Sequence, residues 1–320
     1  MARYLLLRLV TLVCVVFVIT VFCFLLIHLM PGDPATAILQ TSATPQARHA
    51  LDAYLGLNRP LPLQYWTWLV NVLHGDLGTS QYSGLSVKSI IASSYRVDIE
   101  LVLYSQVIAF LVSVPLAIYA ARRDGGRLDQ SATTITFAFY CLPAFILILW
   151  LVQLLTLTWP ILPGVGSDPF PTGLPLWDAV LTNLRVMLLP SAVLAIGSIA
   201  VYYRLLRNEL VVTLREEFII VARSKGLTTN RILWRHALRP SSVTLLTSMG
   251  NNIALLIVGL FVIEDKMGFN GLGTQLVNAL PNKDYLTILG ITLVTAVTVV
   301  VVNFVIDLIT MFVDPRIARA

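Results

Sequence analysis

Six apolar runs, each long enough to cross a lipid bilayer as a helix, constrain the fold of this 320-residue chain more than any other feature. The runs are approximately Leu9–Met30, Ile99–Ala121, Thr133–Trp159, Val186–Leu206, Val243–Ile263 and Leu286–Val313. Charged residues make up only 12% of the chain, about half of their share in a soluble domain. The pattern predicts an all-α, polytopic membrane protein. The basic residues lie in short loops between apolar runs, so the net charge does not indicate a nucleic-acid partner.

The distribution of basic residues predicts which side of the membrane each loop faces. With the N-terminus in the cytosol, 15 of the 22 lysines and arginines lie on the cytosolic side, as the positive-inside rule requires. Both termini are then cytosolic. The predicted parts are an N-terminal transmembrane helix at 1–30, an extracytoplasmic segment at 31–98, a five-helix transmembrane core at 99–313 with a cytosolic loop at 207–241, and a cytosolic tail at 314–320.

The predicted extracytoplasmic segment is too short for an independent domain and is expected to pack on the transmembrane helices. Thr44-Pro45 is typical of a helix start and predicts a helix over Gln46–Leu55. The stretch Gln64–Leu73 is amphipathic and rich in aromatic residues, which predicts a second helix suited to the membrane surface.

A basic, amphipathic stretch at 204–242 separates the fourth apolar run from the fifth and is not apolar enough to cross a bilayer. Its first segment has two acidic residues near the start and two basic residues near the end, Glu216, Glu217, Arg223 and Lys225. These charges suit a helix dipole. Gly226 predicts a left-handed helix end closed by the apolar Leu227, and Thr228 or Thr229 can cap a following helix. The stretch therefore predicts a cytosolic helical hairpin.

Several short motifs, in their order along the chain, resemble the permease subunits of ABC importers from the dipeptide, oligopeptide and nickel branch. Ala222, Gly226 and His236 keep the spacing of that superfamily's cytoplasmic loop. The motifs are Pro31-Gly32-Asp33-Pro34, Gly75-Asp76-Leu77-Gly78-Thr79-Ser80, Ala222-Arg223-Ser224-Lys225-Gly226, His236-Ala237-Leu238-Arg239, Asp284-Tyr285 and Asp314-Pro315-Arg316. The resemblance covers nearly the whole chain and implies the type I importer permease fold.

The resemblance also implies partners and a mechanism. The expected partners are a second homologous permease, two cytosolic ATPases, an external substrate-binding protein and membrane lipid. The chain has no phosphate-binding loop motif, so ATP and Mg²⁺ are expected on the ATPases, and this chain is expected to be no enzyme. The loop is expected to act as a coupling helix that docks on an ATPase. Its candidate residues are Glu217, Phe218, Ile219, Ala222, Arg223, Lys225, Gly226, Leu227 and His236.

Polar residues inside apolar runs, among them Gln106 and Gln153, are further candidates for a function, because burial in lipid is costly for them. The candidates for a pathway or gate are Asn251, Asn252, Glu264, Asn303 and Asp307. Each has an alternative interpretation: hydrogen bonding between helices for the asparagines and Asp307, and an ordinary position at the membrane interface for Glu264 and its neighbour Asp265. His236 has no second histidine or cysteine nearby, so no metal site is predicted.

Three other functions are alternatives to peptide import. Nickel and glutathione-type importers share the resemblance and leave the substrate open. An ion-coupled secondary transporter would be expected to have inverted repeats or a carboxylate near the bilayer centre, and neither is evident. A membrane-embedded enzyme would need a nucleophile and base, or a paired metal motif, within the apolar runs.

Overall fold

The computed structural model describes residues 2–29 and 58–313, which form helices joined by turns, with one isolated β-bridge between Thr79 and Ser86. The helices are α1 (Ala2–Leu29), α2 (Leu61–Leu73), α3 (Val87–Ala121), α4 (Arg127–Tyr140), α5 (Ala144–Val152), α6 (Leu176–Thr213), α7 (Glu217–Ser224), α8 (Thr229–Arg231), α9 (Leu238–Met267), α10 (Leu272–Ala279) and α11 (Tyr285–Val313). Two π-helical segments, Gln153–Thr158 and Ile232–Ala237, continue α5 and α8. The all-α class is confirmed. The helix predicted over Gln46–Leu55 and the tail at 314–320 lie outside the described residues.

Three of the described helices, α3, α6 and α11, are long and apolar enough to cross a membrane. Two further stretches are pairs of helices joined at a bend: α4 with α5, and the stretch from Thr229 to Met267 that contains α9. If each pair is one span, the number of candidate membrane spans is five. Helix α1 contributes the apolar stretch Val10–Leu25. The multi-pass membrane architecture is therefore confirmed, whereas the count of six transmembrane helices stays a prediction.

The third apolar run, predicted to cross the membrane as a helix over Thr133–Trp159, is divided into two helices. Helices α4 and α5 meet at an angle of 94° across Cys141 and Leu142, and α5 begins after Pro143. Proline lacks the backbone N–H that a continuous helix needs, and it favours an extended conformation at the residue before it. By contrast, Pro115 and Pro190 lie inside α3 and α6 without ending either helix.

Two membrane helices extend beyond their predicted limits. Helix α3 begins at Val87 instead of Ile99 and so runs through the predicted boundary between 98 and 99. Helix α6 covers Leu176–Thr213, where the apolar run covers only Val186–Leu206. Hydropathy marks the part of a helix that suits lipid, while charged residues such as lysine, arginine and glutamate are good helix formers beyond it.

The chain divides into two compact units. Of the described residues, the larger unit comprises 2–4, Asp98–Phe269 and the end of α11 from Val301. Its core is built around the fully buried side chains of α6, Tyr202, Tyr203, Leu206 and Leu210. Residues of α3, α4, α7, the second π-helical segment and α9 pack against them.

The smaller unit comprises residues from Leu5 to Val97 and Asn270–Val300. Asp284, before α11, accepts hydrogen bonds from the Ser80 hydroxyl, the Gln81 backbone N–H (3.2 Å) and the Thr287 hydroxyl (2.8 Å). Two motifs that lie more than 200 residues apart in the sequence are thus joined by a buried carboxylate.

The amphipathic helix predicted at Gln64–Leu73 is confirmed as α2, which begins at Leu61. Tyr65 packs edge-on against Phe24 of α1, with ring centroids 5.5 Å apart, and shares a hydrogen bond of 2.9 Å with Thr20. Trp66, on the other face, is exposed. One face of α2 therefore covers α1, and aromatic surface remains on the other.

Candidate functional site

Helix α7 is a short, independently capped helix between α6 and α9. The Glu216 carbonyl accepts bonds from the backbone N–H groups of Ile219 (3.0 Å) and Ile220 (3.3 Å), which starts the helix. Glu217 lies in its first turn and Arg223 in its last turn, so both charges favour the helix dipole. The predicted arrangement of a helix, a glycine and a second helix is present in the structure.

Gly226 ends α7 in the left-handed conformation, with φ = +76°. The Leu227 N–H donates to the Ala222 carbonyl (3.3 Å) and the Gly226 N–H to the Arg223 carbonyl (2.9 Å), which completes the predicted glycine cap. Thr228 occupies the cap position of α8, but its side chain makes no capping hydrogen bond. The second helix of the hairpin is not separate, because α8 continues through the second π-helical segment into α9.

The apolar residues of α7 divide into an inner and an outer face. Ile219 is fully buried and Ala222 nearly so, and both pack into the core of the larger unit together with the partly buried Leu227. The sequence predicted that these three side chains contact a partner protein. In the structure they hold α7 against the core of its own chain, so they are poorly placed for that contact. Helical geometry instead places Phe218, Ile220 and Val221 on the outer face, where all three are exposed.

Exposed charges surround this outer apolar face. Glu217, Arg223 and Lys225 are all exposed, as the coupling hypothesis requires of them. His236 lies in the second π-helical segment and is half-buried. We name the exposed apolar and charged side chains of α7 and of its C-cap residue the α7 face: Glu217, Phe218, Ile220, Val221, Arg223 and Lys225. Its composition, an apolar centre with a charged rim, is typical of a protein-docking surface.

The candidate residues that the sequence predicted for this loop do not include Ile220 and Val221. The signal was present in the sequence. An inner face defined by Ile219, Ala222 and Leu227 leaves positions 218, 220 and 221 outside at helical spacing.

Polar contacts tie the ends of the hairpin to the rest of the larger unit. The hydroxyl groups of Thr213 and Ser241 share a buried hydrogen bond of 2.9 Å between the end of α6 and the start of α9. Arg215 pairs with Asp124 at 3.2 Å, and Arg122 donates to Asn230 at 3.4 Å. The loop that follows α3 thus contacts the chain on both sides of α7.

A buried ion cluster extends these contacts to α4 and α6. Arg207 of α6 pairs with Asp129 (Nη2 to Oδ2, 2.5 Å) and with Asp124. Asp129 also accepts hydrogen bonds from the Tyr203 hydroxyl (3.1 Å) and the Gly125 N–H (2.9 Å). The cluster joins the loop after α3, the first turn of α4 and the end of α6 into one bonded structure next to α7.

One candidate pathway residue takes part in hydrogen bonding between helices. The Tyr202 hydroxyl donates to Gln106 Oε1 (2.6 Å), the Gln106 amide lies 3.4 Å from the Ser198 hydroxyl, and that hydroxyl donates to Asn252 Oδ1 (2.7 Å). This chain of bonds links α3, α6 and α9. Asn251, the preceding residue of α9, is exposed, and its role in a pathway stays a prediction.

The remaining candidates occupy different environments. Glu264 is fully buried near the end of α9, which argues against an ordinary interface position, whereas its neighbour Asp265 is exposed and pairs with Lys266 at 2.8 Å. Asn303 of α11 packs its amide against Gly250 of α9 so closely that a methyl group at residue 250 would clash. Asp307 is half-buried one turn later on α11. A role for any of them in a pathway or gate stays a prediction.

The first half of α3 carries another hydrogen-bonded carboxylate. The Asn183 amide of α6 donates to Glu100 Oε2 (2.6 Å) and to the Pro169 carbonyl (3.2 Å), while its oxygen accepts from the Tyr104 hydroxyl (2.9 Å). Glu100 is therefore positioned by α6.

Comparisons with known proteins agree with this architecture. Residues 113–319 match the family of binding-protein-dependent transport system inner membrane components, and residues 1–113 match the N-terminal region of such membrane components. The chain is 31% identical over 317 residues to a probable peptide ABC transporter permease protein, y4tP, of Sinorhizobium fredii, with 99% of each chain covered. It is 31% identical over 318 residues to the dipeptide transport system permease protein DppB of Escherichia coli K12, covering 93% of this chain and 94% of that one.

A solved structure shares the fold. The structure described as inward-facing conformations of the MetNI methionine ABC transporter superposes with a TM-score of 0.52, at 14% sequence identity, over 70% of this chain and 96% of that one. The two family matches together cover residues 1–319. This chain belongs to the family of binding-protein-dependent transport system inner membrane components.

Proposed function

We propose that this chain is a permease subunit of an ATP-driven importer of peptides, and that the α7 face docks on an ATPase subunit. The substrate class follows from the relatives, which are named as peptide and dipeptide permeases. The observation that carries the docking role is the α7 face itself. Three large apolar side chains are exposed on an eight-residue helix whose other face is buried.

The proposed complex contains a second homologous permease, two cytosolic ATPase subunits and an external substrate-binding protein. ATP and Mg²⁺ would be held by the ATPases, because this sequence lacks the phosphate-binding loop. The proposed orientation places both termini and the α7 face in the cytosol, which is supported by the excess of basic residues on that side.

The contacts around α7 support a mechanical role for it. Movement of a docked ATPase would displace α7, and the buried side chains Ile219 and Ala222 would carry that displacement into the core around α6. The bonds from Arg122 and Asp124 would carry it to the loop after α3. Hydrolysis would thereby change the arrangement of the membrane helices without any chemistry on this chain.

Purification of the tagged chain from its native membrane in mild detergent tests the proposal. Mass spectrometry should identify a second permease, ATPase subunits and a binding protein, and the complex reconstituted in liposomes should take up a labelled dipeptide only with ATP. Recovery of the chain alone, with uptake that needs no ATP, would instead indicate a secondary transporter.

A pair of variants tests the α7 face separately. Phe218→Ser removes a half-exposed apolar side chain from the α7 face and should reduce recovery of the ATPase at least about fivefold, as expected for an interface anchor. Leu128→Ser makes a similar change at an equally exposed residue of α4 and should leave recovery unchanged. Equal recovery with both variants would remove the docking role from α7 while leaving the importer assignment intact.

A further inference from the structure

An apolar cavity of about 470 Å³ lies in the larger unit between α3, α9 and α11. Its walls include Phe110 of α3, Leu245 and Leu246 of α9, and Ile309 and Phe312 of α11. Its volume falls within the range of about 300–1,000 Å³ that is typical of sites for organic ligands. Apart from Ser242 and Arg239, the described residues that line it are apolar, so an occupant would have to be apolar over most of its length.

The cavity is accessible from the side of the helices. Phe110, Ile309 and Phe312 each retain more than two fifths of their surface exposed, up to 74% for Phe312. These residues belong to helices that suit a bilayer, so the molecules next to the cavity in a membrane include acyl chains. An acyl chain can enter sideways without passing through water.

The rim of the cavity has a different chemistry from its walls. Arg239 is the one charged residue among the described residues that line it, and Trp234 lies beside it in the preceding π-helical segment. The Nε of Arg239 donates to the Val313 carbonyl (3.3 Å), which fixes the base of the guanidinium at the end of α11. The side chain is nevertheless exposed, as is Arg235 four residues earlier.

This combination matches an anionic phospholipid. Arginine binds phosphate through two parallel hydrogen bonds, and tryptophan favours the level of the lipid headgroups. Basic pockets between membrane helices on the cytosolic side are known to select anionic headgroups. We propose that the cavity binds one anionic phospholipid, with an acyl chain between α3, α9 and α11 and the headgroup phosphate at Arg239.

The site adjoins the proposed coupling region. Trp234 and Arg239 belong to the continuous stretch that leads from α7 into α9, so a bound lipid would brace the base of the hairpin. Only the assignment to the cytosolic leaflet depends on the orientation proposed above. Selection of an anionic lipid by the purified protein does not depend on that orientation. The lipid site and the proposed importer function can therefore fail separately.

Native mass spectrometry of the purified complex, titrated with phosphatidylglycerol or phosphatidylcholine carrying the same acyl chains, tests the proposal. The wild-type protein should bind phosphatidylglycerol about fivefold more tightly, the factor expected for one arginine near an anionic headgroup. Arg239→Gln should abolish this preference and Arg239→Lys should retain most of it. Arg127→Gln, a matched loss of charge at an exposed residue of α4, should leave it unchanged.

Two results would overturn the proposal. One is equal affinity of the wild-type protein for both lipids. The other is the same loss of preference in Arg127→Gln as in Arg239→Gln, since that would mean a general effect of surface charge.

A second experiment leaves Arg239 in place and identifies the occupant. A photoreactive phenylalanine analogue at position 312, irradiated in native membranes, should cross-link to a phospholipid. A cross-link to the partner permease or to a peptide of this chain would identify a protein occupant and overturn the proposal.

Discussion

At the scale of single residues, Gly226 is the position whose local conformation most limits substitution in the α7 hairpin. Its φ of +76° is unfavourable for residues with a side chain, by about 1–2 kcal/mol. No atom lies within 4 Å of the position that a Cβ would occupy, so steric contact does not contribute to this limit. Effects of substitution therefore report on backbone strain at the end of α7.

We expect dipeptide uptake per ATP hydrolysed to be highest in the wild-type protein and to decrease in the order Gly226→Asn, Gly226→Ala and Gly226→Val. Asparagine tolerates the left-handed conformation, whereas a β-branched residue tolerates it least. Uptake and ATP hydrolysis by each variant, reconstituted with its partners, provide the measurement. Full coupling in Gly226→Val would show that the left-handed turn is not needed for transmission.

At the scale of elements, the ion cluster around Asp129 connects α4 to α6 through one buried side chain. Asp129 is 4% exposed and receives Arg207, Tyr203 and Gly125. The outer pair of the cluster, Arg215 with Asp124, is largely exposed. The pair of Arg207 with Asp129 should therefore matter more for stability than the pair of Arg215 with Asp124. Water screens an exposed ion pair, whereas a buried charge that has lost its partner is not screened.

Asp129→Ala should therefore lower the free energy of unfolding by about 3 kcal/mol, since it leaves Arg207 without its buried partner. Arg215→Gln, the control in the same cluster, should change it by less than about 1 kcal/mol. Thermal unfolding of the purified chain in detergent compares the two, and Asp129→Ala should show the clearly lower Tm. Similar Tm values would mean that the cluster is held by packing of the helices alone.

The elements also show where sequence reasoning reaches its limit. The ends of α7 were predictable, because charge near a helix end and a glycine stop act within a few residues. The pairing of Arg207 with Asp129 was not predictable, because these residues lie 78 positions apart and the sequence does not distinguish their charges from ordinary loop charges. The 94° break at Pro143 shows a similar limit, since proline predicts a kink but packing sets the angle.

At the scale of the whole molecule, contacts between distant parts of the sequence define both compact units. The family motifs around Ser80 and Asp284 were recognisable in the sequence, but their hydrogen bond was not, because no local rule connects residues that lie 204 positions apart.

Polar residues inside apolar runs gave a partial signal in the larger unit. Gln106 and Asn252 were noticeable there, while the hydroxyls of Ser198 and Tyr202 that join them were not.

The buried carboxylate of Asp284 should control the stability of the smaller unit as a whole. Asp284→Ala would leave three donors, from Ser80, Gln81 and Thr287, without their acceptor, at a cost of about 1–3 kcal/mol for each donor that stays buried. Because those donors come from the two separate segments of the unit's sequence, hydrogen exchange should speed up together in residues 78–87 and 284–289.

Asp76→Ala is the matched control for this variant. Asp76 is exposed and accepts a single bond from the Gly78 N–H (2.8 Å), so its loss should affect exchange only near residue 78. Hydrogen exchange measured by mass spectrometry separates the two outcomes, since peptides from both segments are followed in the same sample. If Asp284→Ala altered only the segment around residue 284, the two segments would open independently, and the carboxylate would be a local cap of α11 instead of the link that closes the unit.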